Sequence, residues 1–308
     1  MRTVFVIDGG AGRAITSIPA LLKFQKNNPG DDFRICIHGW DTLFWGIPEL
    51  QDRTFNIDNK GIFENVFLTA DRVISPEPYR LPRYYKQQEN LVEAFDSLIN
   101  ETDKHDDLEN IKLVLTKTEE LVAVDFISKT FDNKKMNIII QPWGSTAKKM
   151  DAYTIDESSR SIEPWSYLTL IKKLSQKYNL IYFGDKSLAM EDDNITAKPE
   201  GDLRFWMALI DVCDYFVGVD SVGQHFAKAF GTPGSVILGS TIAANISYPE
   251  FFNILKKPGE PKYSPLRINM IDSHLADRLN DSRMNFDEKE IEQFVVSIDE
   301  HIKKNVKG

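Results

Sequence analysis

The chain has 308 residues, 42% hydrophobic and 27% charged, a composition that excludes a disordered or membrane-embedded protein. That length exceeds an ordinary single core, so two domains of about 150 residues are expected. A net charge of −9 argues against a broad nucleic-acid surface and leaves room only for a local basic groove.

Short apolar runs alternate with helical patterns along the whole chain, the signature of an α/β architecture with parallel sheets. Thr3–Ile7 reads as a strand, Ala14–Gln25 as a helix and Phe33–Ile37 as a second strand. Leu81–Asn100 has helical periodicity, Lys112–Leu115 resembles a strand and Glu119–Ser128 a helix. The polar stretch Asp132–Asn137 is the candidate linker, which gives an N-terminal domain over 1–134 and a C-terminal domain over 135–308. Strands follow at Ile138–Gln141, Leu180–Phe183 and Tyr215–Val219, with helices at Pro164–Tyr178, Leu203–Val212 and Val222–Phe230. A last helix, about Asp287–Lys304, is a candidate for packing back on the N-terminal domain. No apolar run reaches the ~20 residues of a membrane crossing. The N-terminus enters its strand without a cleavage site, so no signal peptide is expected. Cys36 and Cys213 read as buried thiols, which fits a reducing, cytoplasmic compartment.

The most informative stretch is Asp214–Gly239, which reads as strand, tight turn, short helix, Gly stop and strand. Asp220 and Ser221 are residue types that cap a helix, and Gly231 with Pro233 ends it. The unpaired N–H groups and dipole of such a helix start suit a phosphate or pyrophosphate.

Other unusual loops also fall at strand ends, where ligands of α/β sheets bind. Asp8-Gly9-Gly10-Ala11-Gly12-Arg13 permits a tight turn and close approach of a ligand; a plain βα turn is the alternative. Arg13 stays protonated and could hold an anion or a leaving phosphate, but not act as a base. His38-Gly39-Trp40-Asp41 offers a proton acceptor, or else a loop histidine steadying its own turn. Gly144, Ser145 and Thr146, with Lys148 beyond them, combine donors suited to phosphate; a solvated polar loop is the alternative. The strip Tyr79–Lys86, with Arg80 and Arg83, interleaves aromatic and basic residues. It would stack bases and meet phosphates, or be a helix start with one face packed. His225 reads either as a satisfied core histidine or as a residue orienting the anion-binding turn. The five histidines and two cysteines show no zinc spacing, and no metal site is expected.

These residues carry a resemblance. Gly12-Arg13-Ala14-Ile15-Thr16-Ser17-Ile18-Pro19 lies in register with the Gly-Asp-x-x-x-Thr-x-Pro turn of the heptosyltransferase-like glycosyltransferases of family 9, and Gln141–Lys149 followed by Arg160 resembles that family's second-domain entry loop. Asp220, Ser221, His225, Ala227, Ala229, Gly231 and Pro233 resemble its Asp-Ser/Thr-Gly-x-x-His-x-Ala-x-Ala-x-Gly-x-Pro element. Residues 45–110 carry no family motif. The sequence departs at Arg13, where the family has the aspartate thought to be its base, and at Val222, where it has glycine, with Gly223 one place later.

The resemblance implies a GT-B fold, two Rossmann-like domains with parallel sheets facing across a cleft. It implies transfer of a hexosyl, heptosyl or pentosyl group from a nucleotide-diphosphate sugar to an acceptor hydroxyl, inverting and without a metal or other cofactor. The donor site is then expected from Gly144, Ser145, Thr146, Lys148, Arg160, Asp220, Ser221, Gly223, Gln224 and His225. The acceptor is expected near Gly9, Gly10, Gly12, Trp40, Arg80 and Arg83. With Arg13 in the base position, Asp8, Asp41 and His38 are the candidate bases, in that order. The expected acceptor is a saccharide. The alternatives are hydroxymethylated DNA, as for phage-type DNA glycosyltransferases, and a non-catalytic nucleotide-sugar-binding protein.

Overall fold

The computed structural model describes residues 1–131, 134–144, 147–149, 154–156, 160–183, 199–259, 261 and 281–306. The chain divides into two compact units, Met1–Thr116 and Lys117–Gly308.

The first unit is a parallel sheet in the order β3-β2-β1-β4. Strand β1 (Arg2–Ile7) pairs with β2 (Asp32–Ile37) along its full length and with the edge strand β4 (Arg72–Ile74), while β3 (Thr54–Asn56) extends the other side. Successive side chains of β1 point to opposite faces. Phe5 meets Phe24 of helix α1 (Ala11–Asn27) and Phe33 of β2 edge to face, with centroids 4.9 and 6.1 Å apart. Val4 and Val6 turn to the other face, where Val66, Phe55, Ile62 and Phe67 cover them. The short strands β3 and β4 have no counterpart in the sequence reading, because three residues show no periodicity.

Two expectations for this unit need correction. Leu81–Asn100 is not one helix but α2 (Pro82–Tyr85) and α3 (Leu91–Ile99). Gln87 breaks it with φ +60°, and Asn90 restarts it through a capping box with Glu93. Lys112–Leu115 forms no strand; Ile111 and Leu113 are buried there as irregular chain.

In the second unit five parallel strands take the order β11-β10-β9-β5-β8. These are β5 (Asn137–Gln141), β8 (Asn179–Tyr182), β9 (Tyr215–Val219), β10 (Gly234–Leu238) and β11 (Asn253–Lys256). Strands β5, β8, β9 and β10 are almost wholly buried, as strands of a parallel sheet covered on both faces require, whereas the edge strand β11 ends in the exposed Lys256. Helix α5 (Pro164–Ser175) and the last helix α9 (Glu288–Asn305) cover one face, and Ile291, Phe294, Val295, Ile298 and Ile302 of α9 join the same core as Ile138, Ile140 and Tyr167. The apolar stripe of α9 thus packs inside its own unit. The other face carries α6 (Leu203–Val212), α7 (Val222–Phe230) and, against α6, α4 (Lys117–Thr130). Arg204 of α6, nearly buried, pairs with Glu119 of α4, and Phe126 meets Phe205 edge to face at 5.8 Å. The unit therefore begins at Lys117 and not after Asp132–Asn137, which joins α4 to β5 within it. The strands of a two-residue ribbon, β6 (Lys148–Lys149) and β7 (Thr154–Ile155), pair antiparallel.

Both cysteines are free and buried; burial pushes the Cys36 thiol up to about 11 and the Cys213 thiol higher still. Among the described residues no helix is long and apolar enough to cross a membrane.

Candidate functional site

The order of the second sheet locates its ligand end. From β5 the chain moves outward to β8, whereas from β9 it moves the other way to β10 and β11. The crevice at such a reversal, at the carboxyl ends of β5 and β9, is where open α/β sheets bind ligands. Gln141 ends β5, and Asp220 and Ser221 follow β9.

Helix α7 starts at this point. Ser221 is its extended N-cap residue (φ −155°), and its hydroxyl makes no capping bond. Gly231 closes the other end in the left-handed conformation (φ +76°). The N–H of Gly223 donates to Gln141 Oε1 at 3.0 Å, and Gln141 Nε2 donates to Ser221 Oγ at 3.0 Å. The first-turn N–H groups of Val222 and Gln224 have no intrahelical acceptor. Gly223 cannot be larger, because a Cβ there would lie 2.4 Å from Gln141 Oε1 and 2.7 Å from the Phe216 ring.

The Asp220 carboxylate faces Arg160, Nη1 to Oδ2 4.0 Å. Burial pushes this carboxyl above the usual carboxylate range, opposed chiefly by the Arg160 charge. Gln224 Nε2 donates to Asp220 Oδ1 (3.3 Å) and to the Ile246 carbonyl (3.0 Å), so this side chain braces the turn and leaves the main chain to meet a ligand. His225 is buried, its Nδ1 2.7 Å from the Tyr248 hydroxyl. Burial pulls the imidazole down to about 4, so at neutral pH it is no cation for a diphosphate.

The Gly144 loop differs from the expected phosphate cradle. Its N–H donates to Ser161 Oγ (2.9 Å), which in turn donates to Asp156, so it is committed to the protein. Ser145 and Thr146 lie outside the described residues, and of Lys148 only the strand position is described. Gln141, Asp156, Ser161 and Tyr248 were missed from the sequence. A polar residue ending the apolar run Ile138–Ile140 was the available signal for Gln141.

In the first unit Asp8 is exposed at the end of β1, its Oδ1 accepting from the Gly9 N–H at 2.7 Å. Gly9 has φ +100°, and a Cβ on it would strike the Arg13 side chain at 2.5 Å. Trp40 Nε1 donates to the Gly9 carbonyl (3.2 Å) and so joins the loop after β2 to this turn. Asp41 Oδ1 accepts from Asn56 Nδ2 at 3.2 Å, and the exposed His38 lies 3.1 Å from Asp58. The three candidate bases thus occupy the carboxyl ends of adjacent strands. Gly10 is the N-cap of α1, and Gly12 lies in its first turn.

Arg13 departs from its expected role. It is 5% exposed; Nη1 donates to Glu77 (2.8 Å), Nε to the Asp8 carbonyl (2.6 Å) and Nη2 to the Pro76 carbonyl (3.3 Å), with Tyr79 and Phe95 rings around it. A guanidinium neutralised and enclosed in this way holds the turn. The strip Tyr79–Lys86 is likewise a packed helix start, with Tyr84 buried and Arg83 paired with Glu89 at 2.8 Å. Arg80 is exposed, and among the described residues it makes no ion pair.

Among the described residues no group of three or more His, Cys, Asp or Glu side chains is placed to hold a metal ion. A cavity of about 540 Å³ lies at the starts of α5 and α9, between Trp165, Lys257 and Phe286, and no α7 residue lines it.

No family model and no curated protein sequence matches the chain. Solved structures do. The ADP-heptose lipopolysaccharide heptosyltransferase II of E. coli superposes with a TM-score of 0.62 at 15% identity, over 96% of this chain and 100% of that one. A family 9 glycosyltransferase from Veillonella parvula gives 0.69 at 11% identity, over 98% and 97%. The fold is the GT-B fold of these glycosyltransferases. E. coli heptosyltransferase WaaC, in a structure with ADP-2-deoxy-2-fluoro heptose, gives 0.54 at 14% identity over 96% and 99%. At these identities the likeness is one of fold.

Proposed function

We propose that the protein is a glycosyltransferase of the family 9 type, moving a sugar from a nucleoside-diphosphate sugar to the hydroxyl of a saccharide acceptor. The observation that carries this reading is the start of α7 at the sheet's reversal point, where amide groups, Ser221 and Arg160 converge around Asp220. A fixed set of dipoles suits the charge that gathers on a departing diphosphate, and needs no rearrangement as the bond breaks. In the inferred reaction the acceptor oxygen attacks the anomeric carbon from the face opposite the leaving group, which inverts that centre. The oxygen's proton passes to a carboxylate. The negative charge goes out with the diphosphate toward Val222, Gln224 and Arg160, without a metal. Heptosyltransferases among the similar folds, one seen with an ADP-heptose analogue, support an ADP-linked sugar as the first donor to test.

Asp8 is the preferred base. It is exposed at the first strand's end and keeps Oδ2 available while Oδ1 holds the turn. Hydroxymethylated DNA is the weaker acceptor, because Arg83 is already neutralised and the strip that favoured DNA is packed.

The test is a thermal-shift screen of nucleotide sugars followed by an assay of nucleoside-diphosphate release. A ligand that binds the folded state alone raises the melting temperature. The reading requires a stabilising nucleotide sugar and diphosphate release that depends on added acceptor. Stabilisation with no release under any acceptor leaves a binding protein without catalysis.

A further inference from the structure

Helix α7 begins without the usual capping bond, in which a first-turn N–H donates to the N-cap side-chain oxygen. Gln141 supplies the acceptor instead, and its geometry fixes more than the helix start. A backbone N–H meets only the oxygen end of a carboxamide, so the Gly223 contact sets the amide's orientation whatever the hydrogen positions. The nitrogen end therefore faces Ser221 Oγ. An amide nitrogen donates and does not accept, so the serine oxygen is the acceptor in that contact. The Ser221 proton is then left over. Ser221 is half-buried, and among the described residues its side chain has no other partner.

We propose that Gln141 is a positioning residue that turns the Ser221 hydroxyl into a hydrogen-bond donor for the diphosphate. The inference rests on the donor site proposed above and adds to it the polarity of one group. Gln141 withdraws the Gly223 N–H from the ligand and leaves a triad of donors, the Ser221 O–H and the N–H groups of Val222 and Gln224. Three donors aimed at one place favour an anion over a neutral sugar hydroxyl. Gly223 belongs to the same device, since any side chain there would expel the carboxamide.

A double-mutant cycle tests this, with ADP, GDP, UDP and inorganic pyrophosphate titrated calorimetrically into the full chain. In the wild-type background Ser221→Ala should weaken the best-binding diphosphate about tenfold or more, the loss of a charge-assisted hydrogen bond. Gln141→Glu is nearly isosteric but accepts at both ends, so it draws the Ser221 proton inward. In that background Ser221→Ala should change affinity less than about twofold. A purely structural glutamine would leave the Ser221→Ala factor the same in both backgrounds, and that result overturns the inference. Wild-type affinity in Ser221→Ala overturns it too, with the donor site intact. If the wild-type protein binds none of the four probes, the donor-site reading itself falls, and this inference with it. Should Gln141→Glu fail to fold, Gln141→Met takes its place in the cycle: it no longer orients the hydroxyl, so the Ser221→Ala factor should shrink, and an unchanged factor overturns the proposal.

Discussion

The His225 imidazole stands nearly perpendicular to the Tyr248 ring, at 88°, with Nδ1 2.7 Å from the phenol oxygen. Burial holds this histidine down at about 4, against the 6.5 of a free imidazole, and pushes the tyrosine up. The folded state thus takes up the His225 proton less readily than the unfolded chain does. Its share of stability is complete above about pH 6.5 and is lost as the pH falls from there toward 4. One pKa difference of this size corresponds to roughly 3 kcal/mol at most. Asp220, raised by burial, has the opposite sign and gains as the pH falls through its folded value. Urea unfolding at pH 7.5 and 5.0 should therefore show a loss in the wild type that shrinks in His225→Gln. Equal losses in the two proteins would contradict a buried neutral imidazole.

Asp8→Asn keeps the Gly9 N–H acceptor and removes the proton acceptor. A general base contributes ~10²–10⁴ in rate, so kcat should drop by about a hundredfold or more, with little change in KM for the donor. Steady-state kinetics with the donor found by screening would settle the point. A parallel loss in Asp41→Asn alone, with Asp8→Asn fully active, would move the role to Asp41.

The Arg13–Glu77 pair makes a contrasting prediction. Removing one partner of a buried ion pair strands the other, at a cost of about 3–5 kcal/mol. Arg13→Met should lower stability on that scale, measured by urea unfolding, and the added Glu77→Leu should recover much of it. An arginine needed chiefly for chemistry would instead give a stable, inactive variant.

Arg160→Ala should weaken nucleoside-diphosphate binding by about tenfold and lessen its salt dependence, since a paired cation near an anion site acts mainly through charge. Calorimetry at two salt concentrations checks both.

The sequence was informative where periodicity and turn chemistry agree. Tyr215–Val219, Val222–Phe230 and Gly231 formed the strand, helix and stop that their letters indicated, because apolar runs and a left-handed glycine are local signals. What escaped it was decided by tertiary partners. Nothing local to Arg13 announces Glu77, 64 residues away, and nothing in Gly144 says that Ser161 takes its N–H. Residues 81–100 looked continuous because Leu91, Ala94 and Phe95 keep helical spacing, whereas the break at Gln87 leaves no periodic trace.

The clasp between Arg204 and Glu119 bears on any attempt to dissect the molecule. A fragment starting at the polar stretch after α4 would take Glu119 away from a nearly enclosed guanidinium and bare one side of α6 to water. Cloned from Lys117, the C-terminal half would retain that cover and be the fair specimen for nucleotide titrations in isolation.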